Sequence, residues 1–226
     1  MDHHAEHHHH HNVQGESEVT VNVTYKDGVI TIELKDKNGN APELGTSHEK
    51  EMHLIIVSAD LQEFYHVHPE KIDAGIYTLE KELADNEYKV FVDITPENLP
   101  YAISPIKLHV GHSHHSQASN NLSVGKDLLQ TVDGHTVELN ENTFEAGQDI
   151  SLQFDTKGEK PERYLGALGH VVILDENAEK FIHVHPVSAD QTQFDTVLTE
   201  AGKYKLWAEF QFNGKVSLYS YVLEVK

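Results

Sequence analysis

The chain has 226 residues, enough for one large domain or two of about 100 residues each. Its 37 acidic against 17 basic residues give a net charge of -20, which argues against nucleic acid and anionic membrane surfaces as partners and favours cations. Cysteine is absent, so disulfides and thiolate ligands are not available; two methionines argue against a site specialised for Cu(I), whereas 19 histidines far exceed ordinary usage.

Residues 1 to about 16 open in "MDHHAEHHHHHN", which is polar, charged and without periodicity, and read as a disordered His-rich tail. An expression tag and a native metal-collecting tail both fit this tract; Asp2, Ala5 and Glu6 interrupt the run in a way that an engineered tag usually does not. From Glu18 the pattern turns to alternation. "EVTVNVTY" and "GVITIELK" flank Lys26-Asp27-Gly28 as a hairpin with a Gly turn. Further strands are expected at Met52–Ser58, Glu63–His68, Gly75–Leu83, Tyr88–Ile94 and Tyr101–Val110. The small, polar stretch Gly111 to Asp127 reads as a linker or long loop. Strands resume at His135–Asn140, Asp149–Phe154, His170–Leu174, Phe181–His185, Gln193–Thr199, Tyr204–Phe212 and Ser217–Val225. This pattern predicts an all-β protein of two tandem antiparallel sandwiches, residues 17–111 and 128–226, joined by a His/Ser/Asn-rich linker at 112–127. No apolar run approaches the ~18 residues of a membrane helix.

The halves are repeats. "HLIIVSADLQEFYHVHP" (His53 to Pro69) aligns without a gap on "HVVILDENAEKFIHVHP" (His170 to Pro186), and a one-residue shift places "EYKVFVDI" over "KYKLWAEF". "EAGKYKL", Glu200 to Leu206, has the Asp-x-Gly-x-Tyr-x-Cys shape of an immunoglobulin tyrosine corner, with Leu206 in the cysteine position; "DNEYKV", Asp85 to Val90, is the looser counterpart. On these motifs the chain resembles immunoglobulin-like sandwiches. Among bacterial extracytoplasmic modules it resembles the YtkA-like and FixH-like group, duplicated, and a His…His-x-His-Pro module found near metal transport proteins. The resemblance implies metal handling outside the cytoplasm.

Side chains alternate along a strand, so His66 and His68 share a face with Phe64. A four-residue loop Ala59–Gln62 pairs Val57 with Phe64, Ile55 with His66 and His53 with His68. The equivalent loop Glu176–Glu179 brings His170 and His185 together beside His183. Three imidazoles so placed can share one metal ion. In an immunoglobulin-like sheet the end of strand F lies next to the start of strand C, which nominates Asp93 and Glu209 as fourth ligands. With Leu54, Ile56 and Val67 in the core, all these groups are expected to face outward, each domain carrying its own separable site. A lone surface histidine is ordinarily just solvated. Three per domain at matching offsets favour a metal. His48, His109, His112, His114 and His115 lack repeat partners and read as loop residues, although "HSHH" could add weak exchangeable binding. Phe91 and Trp207 are expected to cover the site or the sheet.

The expected function is divalent metal buffering, capture or delivery, with Zn²⁺ or alternatively Cu²⁺ as the ion and a metal transporter or metal-receiving protein as partner. Secretion or lipid anchoring at the cell surface is the expected location. Two alternatives stay open. A bicupin-like metal enzyme would use the His-x-His pairs with Asp73 and Asp190, but the second, Gly-rich cupin motif is missing and His53 and His170 precede the pairs. An immunoglobulin-like adhesion or interaction module would make the histidines incidental.

Overall fold

The computed structural model describes residues 16–111 and 122–226; the tail before Glu16 and the linker histidines His112, His114 and His115 lie outside the described residues. Among the described residues there is no helix, and hence none long and apolar enough to cross a membrane. The first half forms β1 (Val19–Lys26), β2 (Val29–Asp36), β3 (Leu44–Gly45), β4 (Met52–Ser58), β5 (Phe64–Val67), β6 (Glu70–Asp73), β7 (Ile76–Glu80), β8 (Asn86–Pro96) and β9 (Ile106–Val110). The second forms β10 (Leu129–Val132), β11 (His135–Leu139), β12 (Thr143–Phe144), β13 (Asp149–Asp155), β14 (Gly169–Asp175), β15 (Phe181–Val184), β16 (Gln193–Val197), β17 (Gly202–Phe212) and β18 (Lys215–Val225).

Each half is a two-sheet sandwich. In the first, β1-β2-β7-β6 faces β3-β8-β4-β5, with β9 also on β8; in the second, β10-β11-β13-β16 faces β12-β18-β17-β14-β15. The pairing is antiparallel except between β12 and β18, which run parallel. This is the tandem immunoglobulin-like architecture that the alternation predicts. The short strands β3, β6, β10 and β12 are not among the expected strands; β3 and β12, at two residues each, are too short for alternation to register. Turn chemistry sets the hairpins. Asp27 and Gly28 have φ of 50° and 77°, the two-residue mirror-image turn whose twist matches its flanking strands, and Asp133-Gly134 repeats it between β10 and β11.

Both tyrosine corners are present. The Tyr204 hydroxyl donates to the Glu200 carbonyl at 2.8 Å, and the Tyr88 hydroxyl to the Ala84 carbonyl at 3.1 Å. Tyr204→Phe leaves that carbonyl short of a donor and is expected to cost ~1 kcal/mol, read as a lower urea midpoint. An unchanged midpoint would show that the corner does not pin β17.

The two sandwiches pack against each other through their five-stranded sheets. β4 is buried along its whole length. Leu54 and Ile56 enter the core of the first sandwich, whereas Ile55 and Val57, both 0% exposed, enter a separate apolar cluster with Phe64, Phe91, Val172, Leu174 and Trp207. The contact is reciprocal. Phe64 stacks on Trp207 with ring centroids 4.7 Å apart, and the repeat-equivalent pair Phe181 and Phe91 stacks at 5.2 Å. The faces that point away from each sandwich core therefore point at each other, and the expectation of a solvent-facing histidine surface is corrected. A strand whose outward residues are Ile, Val and Leu has two apolar faces, and both are buried here.

Candidate metal centre

The hairpin registers fall where side-chain alternation places them. Ile55 pairs with His66 and Val57 with Phe64 across β4 and β5, and Val172 pairs with His183 across β14 and β15. His53 lies opposite Asp93 on β8, and His170 opposite Glu209 on β17. His53, His66 and His68 converge so that one ring nitrogen from each lies within 4.8 Å of the others. His53 Nδ1 stands 3.0 Å from His66 Nε2 and 3.1 Å from His68 Nε2.

Two rings of each trio are anchored at a nitrogen. His53 Nε2 donates to the Ser47 carbonyl at 2.9 Å, and His170 Nε2 to the Tyr164 carbonyl at 2.8 Å. His66 Nδ1 donates to the Glu209 carboxylate at 2.6 Å, and His183 Nδ1 to the Asp93 carboxylate at 2.7 Å. Those two bonds cross the domain interface. Asp93 and Glu209, the expected fourth ligands, lie opposite the histidines of their own domain and each also fixes a ring of the other domain. Each trio is therefore braced by a carboxylate of the other domain, which corrects the expectation that each centre is built from its own domain alone. The reason is the face-to-face docking, which brings β5 of one sandwich over β17 of the other.

The anchors also set the tautomers. A carbonyl or carboxylate only accepts, so His53 carries its proton on Nε2 and His66 on Nδ1. Their other nitrogens, bare in the neutral rings, face each other at 3.0 Å. His53 and His170 are each 2% exposed. Burial, which penalises the imidazolium, lowers His53 to about 4, His68 to about 3 and His170 to about 3, and it lowers His48 as well. His48, His53, His68 and His170 are thus held neutral at pH 7, the form in which imidazole binds a metal.

The second trio is more open: His170 and His183 lie 6.5 Å apart between centroids, against 5.3 Å for His53 and His66. His48 joins it. Its ring stacks on His185 at 4.5 Å and lies 5.4 Å from His170 and 5.9 Å from His183. The sequence reading places His48 in a loop, which is correct, but without a site role, because nothing in the second half matches it. The clue available was positional: His48 lies five residues before His53, as Leu165 lies five before His170. The other candidates stay at the surface. His109 is exposed on β9, Asp73 is exposed on β6, and exposed Asp190 pairs with Arg163 at 2.6 Å. Phe91 and Trp207 are buried in the apolar cluster between the sandwiches, where they stack on Phe181 and Phe64.

A family model described as a domain of unknown function, DUF8832, matches twice, over residues 5–111 and 130–226. The chain belongs to this family. The double match to DUF8832 agrees with the internal repeat. No curated protein matches the chain. Among solved structures, similarity extends to a two-domain fibronectin type III segment of chicken tenascin, at 12% identity over 91% of this chain and 97% of that one, with a TM-score of 0.28. Murine CEACAM1b is 11% identical over 92% of this chain and 100% of that one, with a TM-score of 0.26. The Escherichia coli adhesin FdeC is 16% identical over 94% of this chain and 65% of that one, with a TM-score of 0.28. Superpositions this loose carry no argument about function.

Proposed function

We propose that this member of DUF8832 is a binder of divalent transition metal ions, Zn²⁺ or Cu²⁺, rather than a catalyst. The observation that supports this is the pair of bare nitrogens, His53 Nδ1 and His66 Nε2, opposed at 3.0 Å with His68 Nε2 3.1 Å from the first. Two lone pairs repel at that distance in a buried site. A cation between them reverses the sign of the interaction, and burial, which holds His53 near 4 and His68 near 3, keeps those two rings from supplying a proton of their own. Nitrogens that share a tetrahedral ion at ~2.0–2.1 Å stand ~3.3 Å apart, close to the spacing here. His53 held from behind by a carbonyl and His66 by a carboxylate match the arrangement that orients metal-bound histidine.

All-nitrogen ligation suits both Zn²⁺ and Cu²⁺. Buffering, capture or delivery outside the cytoplasm, with a metal transporter or metal-receiving protein as partner, fits the acidic, cysteine-free composition. Calorimetric titration of the full chain with zinc and with copper at pH 7 tests the reading. At least one tight equivalent is expected, a His66→Ala/His68→Ala variant should bind one equivalent fewer than the wild type, and saturation at a hundredfold the dissociation constant should add ~2.7 kcal/mol of stability. Absence of tight binding by the chain would leave an interaction module with a structural histidine cluster.

A further inference from the structure

The second trio carries an observation that the first does not. His183 Nε2 is buried, has no hydrogen-bond partner, and belongs to a side chain only 4% exposed. A buried ring nitrogen without a partner forfeits the hydrogen bond it would make in water, and native structures seldom leave one so unless something else occupies the position. Its Nδ1 is already committed to Asp93, so Nε2 is the atom available to a ligand.

His48 supplies what that position lacks. It sits in a two-residue turn between Ser47 and Lys50, with φ of 46° at His48 and 65° at Glu49; the repeat turn between Tyr164 and Ala167 has φ of 50° at Leu165 and 79° at Gly166. The two turns are the same device, and the carbonyl of each first residue anchors His53 or His170. What differs is the side chain at the first left-handed position, an imidazole in one domain and an isobutyl group in the other. Leu165 shows that the turn itself imposes the left-handed conformation, so His48 is placed by its turn, and the backbone of Leu165 in the opposite turn lies beside its ring.

We infer that the second domain holds its own cation in a four-imidazole site completed across the interface, with His48 of the first domain joining His170, His183 and His185. The inference rests on the metal-binding reading above and extends it. Ring centroids within the group lie 4.5 to 6.5 Å apart, and among the described residues the nitrogens of the first trio alone already lie within 4.8 Å of one another, so the second site closes its nitrogens on the ion only as it binds. The two sites are then unequal: three imidazoles in the first, four in the second. The second ion ties the domains together, since its ligands come from both. The class of ligand is a nitrogen-preferring divalent ion, for which zinc is the probe.

Zinc titration of full-length variants separates the possibilities. His66→Ala/His68→Ala is expected to keep one equivalent, bound at the second site. Adding His48→Leu, which installs the residue already tolerated at the equivalent turn position, should weaken that remaining site by at least about tenfold, because removing a ligand should cost no less than the 10–100-fold typical of its supporting partners. Near-identical circular dichroism of the metal-free variants checks the fold. A zinc-soaked crystal should show an anomalous peak within coordination distance of His48 and His183. Unchanged affinity on adding His48→Leu overturns the inference. So does a double variant that binds no zinc while the wild type binds one equivalent, a result that would leave the first site standing. A wild type that binds none overturns both.

Discussion

Lowering the pH of the metal-free protein from 7 to 5 should remove about 4 kcal/mol of stability through His53 and His170 alone. Burial depresses both rings, to about 4 and about 3, while the unfolded chain keeps the ordinary value near 6.5. A base depressed by folding contributes fully above its unfolded pKa. That contribution drains away as pH falls from 6.5 towards the folded values, because the unfolded state then binds the extra protons. At pH 5 each ring has lost about 2 kcal/mol. His68, depressed to about 3, acts in the same direction. Domains of ordinary stability have 5–15 kcal/mol in total, so the loss is large. Urea unfolding in chelator at pH 7 and pH 5 measures it. Equal free energies at the two pH values would mean that the cluster is hydrated and its rings titrate normally.

Trp207→Ala is expected to be the most damaging single change at the interface, at about 3–5 kcal/mol. Trp207 is 2% exposed, stacks on Phe64 at 4.7 Å, and joins the apolar cluster between the sandwiches rather than either sandwich core. The loss should therefore appear as uncoupling. The wild type should melt in one transition, and the variant should melt in two, one per domain. Zinc affinity should fall as well, although Trp207 is no ligand, because Glu209 reaches His66 only while β17 lies over the first domain. Phe91→Ala, which removes the partner of Phe181, should reproduce the uncoupling. One unsplit transition at an unchanged temperature in Trp207→Ala would show that the sandwiches dock without this stack.

Much of the site is local, and local features are legible in the chain. Strand alternation placed His66 and His68 on one face, loop length set their register against Ile55 and His53, and the repeat carried the same geometry to His170, His183 and His185. Those relations depend on a two-residue period and a short loop, which neighbouring residues dictate. The tyrosine corners at Tyr88 and Tyr204 are likewise short-range, since each hydroxyl bonds a carbonyl four residues back. How the two sandwiches meet lay beyond the reach of alternation. "LIIV" and "VVIL" are apolar at every position, which announces that both faces of β4 and β14 are covered but does not name the cover. Only the docked structure decided that each domain covers the other. That docking turned Asp93 and Glu209 from neighbours of their own histidines into supports for the other domain's. It also brought His48, unmatched in the repeat, onto His185. The physical reason is range. Hairpin register is settled by residues about a dozen apart in sequence, whereas the cross-domain pairs join residues 90 and 143 apart, whose meeting depends on the whole shape of two faces.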